Sequence, residues 1–116
     1  MKLEQVAKLL EARVFTGQPL PENRVDHVFC TDLMADVLRY ASSDTVLITR
    51  LLNLSVVRSS IMAEVHCVVF PEGMEPTPEL LGLAETHEIT MMATERSMLE
   101  ATELLLEAGL SDAAWI

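Results

Sequence analysis

Val65-His66-Cys67-Val68-Val69-Phe70-Pro71-Glu72-Gly73-Met74-Glu75-Pro76-Thr77-Pro78-Glu79 is the stretch on which the fold turns. Residues 65–70 are a short run that is apolar at odd and even positions alike. A strand buried on both faces by helices needs that pattern. Proline and glycine then make a loop. Thr77 has the hydroxyl that caps a helix, Pro78 suits the first helical position, and Glu79 places acid in the first turn. Strand, loop and capped helix in this order form one unit of a parallel α/β sheet, and the helix is expected to run to about His87.

The same unit repeats on both sides. Upstream, Val46-Leu47-Ile48-Thr49 reads as a strand and residues 54–63 as a helix, with Asn53 or Ser55 near its start and Val56, Val57, Ser60 and Ile61 inward. Downstream, Ile89 to Ala93 reads as a strand, and Thr94 is expected to cap a last helix that stops near Gly109. Val25 to Phe29 alternates apolar and polar residues, as a partly exposed strand does. Residues 32–41 follow as a helix with Leu33, Met34, Val37, Leu38 and Ala41 on one face. At the N-terminus, Leu3, Val6, Ala7 and Leu10 give an amphipathic helix over 2–11. Val14-Phe15 is a short extended piece broken by Gly17, and residues 18–23 form a proline-containing loop. The expectation is a single α/β domain over residues 1–110, a mainly parallel sheet between two helical layers, with residues 111–116 as a C-terminal tail. Right-handed crossovers should join the strands.

Composition narrows the function. The chain has 116 residues and a net charge of −10, which argues against nucleic acid and against anionic membrane surfaces. No apolar run approaches the roughly 20 residues of a membrane span, and the first residues lack the apolar stretch of a signal peptide, so a cytoplasmic location is expected. Cys30 and Cys67 have no metal-like spacing. Cys67 sits in an apolar strand as a small hydrophobe. Cys30 lies at a loop with only His27 as a basic neighbour, a weak setting for a reactive thiol. His66 and Cys67 are adjacent in a strand and point to opposite faces, so they cannot share a metal. No dinucleotide fingerprint, phosphate loop or nucleophile elbow is present, and no cofactor is expected. Of the seven methionines, Met91 and Met92 fall in a strand and Met34, Met62 and Met98 on helices. Filling gaps in the core is their default role, and a subunit interface is the next.

In open parallel sheets, ligands bind outside the carboxyl ends of the strands. The loops gathered there are Cys30-Thr31-Asp32, Arg50-Leu51-Leu52-Asn53, Pro71 to Pro76, and Thr94-Glu95-Arg96-Ser97. Free N–H groups at helix starts favour an anion, and Arg50 adds a charge that does not titrate away. The candidate ligand-binding set is Thr31, Asp32, Thr49, Arg50, Asn53, Glu72, Gly73, Thr94 and Ser97. Helix capping alone would also account for several of these residue types. Asp32 and Asp36, four apart on an expected helix, are the candidates for a divalent metal or for acid–base work; one acid at a helix start and one on the surface is the plainer alternative.

Four ordered pieces resemble a known family. Phe29-Cys30-Thr31-Asp32-Leu33-Met34-Ala35-Asp36-Val37-Leu38 is similar to the "Ser-Asp-Leu-Leu-Ser-Asp-Val-Met-Ala" pattern of free-standing DRTGG-domain proteins. Val46 to Thr49 corresponds to the strand before that family's signature loop. Val68 to Pro76 resembles its "apolar strand, Gly, Pro" segment. Glu88 to Thr94 followed by Ser97-Met98-Leu99-Glu100-Ala101 resembles its "Gly-Ile-Pro-Leu-Leu-Ser-Thr" and "Ser-x-Phe-Glu" pieces. At the signature loop this chain reads Thr49-Arg50-Leu51-Leu52-Asn53, so the Asp-Arg-Thr-Gly-Gly string is missing.

The resemblance implies a fold like the non-catalytic N-terminal domain of HPr kinase. It also implies a regulatory or dimer-forming role like that of DRTGG domains inside phosphotransacetylases and CBS-domain pyrophosphatases. Free-standing relatives occur in anaerobic bacteria, often near iron-only hydrogenase genes. Three functions are therefore weighed. The first is a homodimeric regulatory module binding a small anionic metabolite or nucleotide at the strand ends. The second is an interaction module docking on a larger redox or signalling partner. The third is a small hydrolase or phosphoryl-transfer enzyme using Asp32 and Asp36.

Overall fold

The computed structural model describes residues 1–16 and 19–114. Gly17, the expected strand break, and Trp115, whose packing the sequence leaves open, lie outside the described residues. The elements run α1 (Leu3–Leu10), β1 (Arg13–Val14), β2 (His27–Cys30), α2 (Met34–Tyr40), β3 (Thr45–Ile48), α3 (Leu54–Ala63), β4 (Cys67–Phe70), α4 (Pro78–Thr86), β5 (Thr90–Ala93), α5 (Met98–Glu107) and β6 (Ser111–Asp112). The sheet order is β1-β5-β4-β3-β2-β6, parallel throughout except for β1, which runs antiparallel to β5.

One packing rule explains the layers. From β2 to β5 the chain steps across the sheet in a single direction, and α2, α3 and α4 all cover one face through Val37, Val56, Val57, Leu80 and Ala84. From β5 the chain turns back to β6 beyond β2, and α5 lies on the other face beside α1, through Ala101, Leu105, Leu3, Val6 and Leu10. Reversing both direction and face keeps the hand of the crossover the same. The strands alternate between the two cores. Leu47, Val68, Phe70 and Met91 face one, and Val46, Ile48, Cys67, Val69 and Met92 face the other. Every residue of β3, β4 and β5 is buried, which is why their sequences are apolar apart from Thr45 and Thr90 at the strand starts.

Four expectations change. β2 is partly exposed, as expected, but the exposure does not alternate: Val28 and Phe29 are both buried, one in each core, and Cys30 at the strand end is exposed. Ser111 and Asp112, read as the start of a tail, are β6, paired with β2; both are exposed and polar, so no apolar pattern announces them. On α2, Val37 packs inward but Leu33 and Leu38 are 60% and 48% exposed, and Ile61 on α3 also faces out. A helix lying flat on a sheet buries a narrower stripe than its apolar residues span. Finally, Ser97 rather than Thr94 caps α5. Its side chain accepts from Glu100 N–H while the Glu100 side chain returns to Ser97 N–H, a closed capping box. The caps Asn53 and Thr77 stand where the sequence puts them.

The methionines divide as their settings dictate. Met91 and Met92 are fully buried, Met34 and Met98 pack at the edges of the two cores, and Met62 is 72% exposed.

Candidate functional site

Because α2, α3 and α4 leave on one face and α5 on the other, the loops after β4 and β5 part in opposite directions. That divergence marks the switch point of the sheet, where a crevice is expected. Here the two loops are joined. Glu72 N–H donates to Arg96 O at 2.8 Å and Gly73 N–H to Thr94 O at 2.9 Å. Gly73 has φ +69, and a Cβ added there would stand 2.7 Å from a Glu95 carboxylate oxygen. The left-handed backbone calls for glycine, while the carboxylate is the free end of a flexible side chain.

Beside this seam, Asp32 organises the β3–α3 loop. One carboxylate oxygen accepts from Arg50 N–H at 2.7 Å and from Thr49 Oγ1 at 3.2 Å. The other accepts from Arg50 Nε at 3.0 Å and lies 2.9 Å from Nη2. Partial burial works against the Asp32 charge, but the bonds from Arg50 N–H and its guanidinium, the positive charge, and the Thr49 hydroxyl outweigh it, so its pKa is lowered. Among the described residues, the remaining nitrogen of Arg50, Nη1, pairs only with Glu72, at 3.8 Å.

The structure therefore brings Thr49, Arg50, Asp32 and Glu72 together. The other candidates serve the backbone. Thr31 Oγ1 accepts from Leu33 N–H, and Asn53 Oδ1 accepts from Ser55 N–H and lies close to the Ser55 hydroxyl. Thr94, buried, donates its hydroxyl to Leu10 O at 2.6 Å and ties α1 to the sheet. Ser97 is the helix cap already described, and Gly73 shapes the seam. Asp32 and Asp36 do not share a helix: α2 begins at Met34, so Asp32 belongs to the loop and turns to Arg50. Among the described residues no group of three or more His, Cys, Asp or Glu is arranged for a metal.

Arg96 and Arg13 are the residues that sequence reading passes over. Arg96 pairs with Glu11 at 2.9 Å, its Nε is buried without a hydrogen-bond partner among the described residues, and it lines a hollow of about 380 Å³ with Thr94 and Glu95. Arg13 pairs with Glu75 at 3.1 Å. All three arginines of this edge thus lie against carboxylates remote in sequence, 18 positions away for Arg50 and Asp32, 62 for Arg13 and Glu75 and 85 for Arg96 and Glu11, a pairing that no local pattern reveals. Cys30, at the end of β2, is exposed, whereas burial pushes the Cys67 thiol up to about 12 and makes it inert.

The geometry and the sequence converge on one family. The DRTGG-domain model matches residues 5–108. The chain belongs to the DRTGG-domain family. Among solved structures it is similar to the CBS and DRTGG domains of the regulatory region of Clostridium perfringens pyrophosphatase, a structure complexed with the activator diadenosine tetraphosphate. The likeness has a TM-score of 0.68 at 18% identity, covering 96% of this chain and 48% of that one. This chain thus spans about half the length of that relative, and a match at this identity speaks to the fold. No curated protein matches the sequence. No helix among the described residues is long and apolar enough to cross a membrane.

Proposed function

We propose that this DRTGG domain is a non-catalytic regulatory module that takes a small anionic ligand at the carboxyl ends of its strands, on the open side of Arg50. One observation carries the reading. Asp32 fixes the Nε and Nη2 side of a half-exposed guanidinium, while Nη1 pairs, among the described residues, only with Glu72 at 3.8 Å. An arginine held in this way is preorganised, and an incoming phosphate or carboxylate need only displace one loosely placed side chain. Thr31, Thr49, Asn53, Gly73, Thr94 and Ser97 then act by shaping the loops around it.

Charge sets the ligand class. Asp32, Glu72, Glu75 and Glu95 share this edge with Arg50, Arg13 and Arg96. A ligand presenting one phosphate or carboxylate, such as a mononucleotide, suits it better than a polyphosphate, which would meet the surplus acid. The regulatory region of the pyrophosphatase, with its nucleotide activator, supports the general role; the shared half does not say where that activator sits. The enzyme reading loses the shared helix that would have paired its carboxylates, since Asp32 lies in the loop before α2 and is engaged by Arg50.

A thermal-shift titration tests this with AMP, inorganic phosphate, ATP and diadenosine tetraphosphate. A ligand at a hundredfold excess over its dissociation constant stabilises by roughly 2.7 kcal/mol. AMP is expected to give the larger shift, Arg50→Ala to abolish it, and Glu72→Gln to enlarge it by freeing Nη1. No shift from any of the four, or a shift kept in Arg50→Ala, rejects the reading.

A second reading, an assembly module in a homodimer or on a larger protein, rests on the neighbouring helices α2 and α3. They expose Leu38, Ile61 and Met62 beside Arg39 and Arg58 on an otherwise acidic chain. Sedimentation analysis of wild type against Met62→Glu tests it: a dimer that dissociates in the variant supports it, and a monomer in both sinks the homodimer.

A further inference from the structure

At the opposite edge of the sheet, by the amino ends of β4 and β5, lies a hollow of about 690 Å³. Its lining includes Phe15, His66, Glu85, Glu88, Ile89 and Thr90. A smaller hollow of about 310 Å³ adjoins it, sharing His66 and Ile89 and adding Ser60, Glu64 and His87. The larger volume falls in the range of small-molecule sites. Among the described residues, neither hollow is lined by a lysine or arginine.

The buried hydroxyls give this edge its chemistry. Thr90 is 1% exposed and its Oγ1 has no hydrogen-bond partner among the described residues; the same holds for the Oγ of fully buried Ser60. Each lines one of the two hollows. A buried hydroxyl without a partner is costly, and valine would fill the Thr90 position without that cost. The neighbouring Thr16 shows the ordinary outcome: its hydroxyl donates to Ile89 O at 2.9 Å and accepts from Met91 N–H at 2.8 Å. Thr90 and Ser60 thus line the hollows with polar atoms left unused, and the larger hollow, that of Thr90, also carries Glu85 and Glu88.

We infer that this hollow is a second binding site, for a small organic cation bearing an ammonium or guanidinium group. Glu85 and Glu88 take the charge, the Thr90 hydroxyl accepts an N–H, and Phe15 and Ile89 cover the apolar part. The chemistry disfavours the other simple classes. An anion would meet Glu85 and Glu88 with no lysine or arginine of the lining to balance them, and no group of metal ligands is assembled among the described residues. The site does not depend on the reading at the carboxyl edge, from which it is separated by the length of the strands.

The experiment is an amide NMR titration with agmatine, spermidine and benzamidine at matched ionic strength, on wild type, Thr90→Val, Thr90→Ser, the Glu85→Gln/Glu88→Gln double variant and Arg50→Ala. At least one probe is expected to give saturable shifts confined to His66, Glu88, Ile89, Thr90 and their neighbours. Affinity should fall at least tenfold in the double variant and several-fold in Thr90→Val. Thr90→Ser and Arg50→Ala should bind as wild type does. If no probe saturates, or if shifts spread over the acidic surface and Thr90→Val leaves them unchanged, the inference is overturned.

Discussion

The two edges of the sheet are built to opposite standards. At the carboxyl edge most charged and polar groups find partners within the chain, Arg96 Nε excepted: Asp32 serves four donor groups, Arg13 and Arg96 have their own glutamates, and the loops after β4 and β5 are bonded to each other. At the amino edge of β4 and β5, Glu85, Glu88 and His66 form no ion pair among the described residues, and two buried hydroxyls go unused. The first arrangement supports the backbone while leaving one nitrogen of Arg50 loosely engaged. The second adds little to stability and leaves its chemistry available. A polar cluster at the usual ligand edge of an α/β fold can therefore be chiefly structural, and one at the other edge can be the freer of the two.

The largest expected effect sharpens that contrast. Asp32→Ala removes the acceptor for Arg50 N–H, Thr49 Oγ1 and the guanidinium together. Bonds to a charged acceptor are each worth more than neutral ones, and their partners here retain some access to water, so a loss of about 2 kcal/mol is expected. At the other edge, Glu88→Gln should change stability by less than about 0.5 kcal/mol, as exposed positions without partners do. Urea unfolding measures both. Equal losses at the two edges would remove the distinction.

The backbone offers a smaller version of the same test. Both edges contain residues in the left-handed region: Glu72 and Gly73 at φ +58 and +69 in the seam, Glu64 and Glu88 at φ +62 and +57 beside the hollows. Gly73→Ala should cost about 1 kcal/mol, chiefly from the backbone, since the Glu95 carboxylate it meets is the free end of a flexible side chain. Glu88→Gly should go the other way, gaining a few tenths of a kcal/mol by relieving the same conformation.

How much of this is legible in the sequence depends on whether the cause is local. β3, β4 and β5 read clearly because burial on both faces leaves continuous apolar runs, and Thr77-Pro78 marks a helix start by its own chemistry. The cap of α5 was also within reach: Glu100 lies three after Ser97 and completes a capping box, a signal that Thr94 lacks. Leu33 and Leu38 mislead because periodicity gives the direction of a face and not the width that a sheet covers. β6 is silent, since two exposed polar residues carry no strand pattern. The candidate sites are harder still. Asp32 and Arg50 lie 18 positions apart, and the amino-edge hollow draws Phe15, His66, Glu85 and Thr90 from separate segments, so only the assembled fold brings them together.

Acid gives the smallest effect and the finest comparison, because each edge holds one aspartate with a lowered pKa. Asp32 owes its shift to Arg50 and Thr49 prevailing over partial burial. Asp44, by the amino ends of β2 and β3, owes its shift first to the Ser42 hydroxyl, against partial burial, with His27 adding to it. In both, the folded value lies below the unfolded value of 3.8. Each therefore stabilises the fold fully above that pH and loses its contribution as pH falls through the folded value. Both carboxylates are more than a third exposed, so screening holds each contribution to about 0.5 kcal/mol. Stability measured from pH 5 down to pH 2 should fall less steeply in Asp32→Asn and in Asp44→Asn than in wild type. Added salt should flatten the wild-type limb by more than it flattens that of Asp32→Asn, because the Arg50 charge is the part of this network that ions screen. An acid limb unchanged in Asp32→Asn would mean that the Arg50 pair is idle in solution, and that its guanidinium is freer at the carboxyl edge than the contacts indicate.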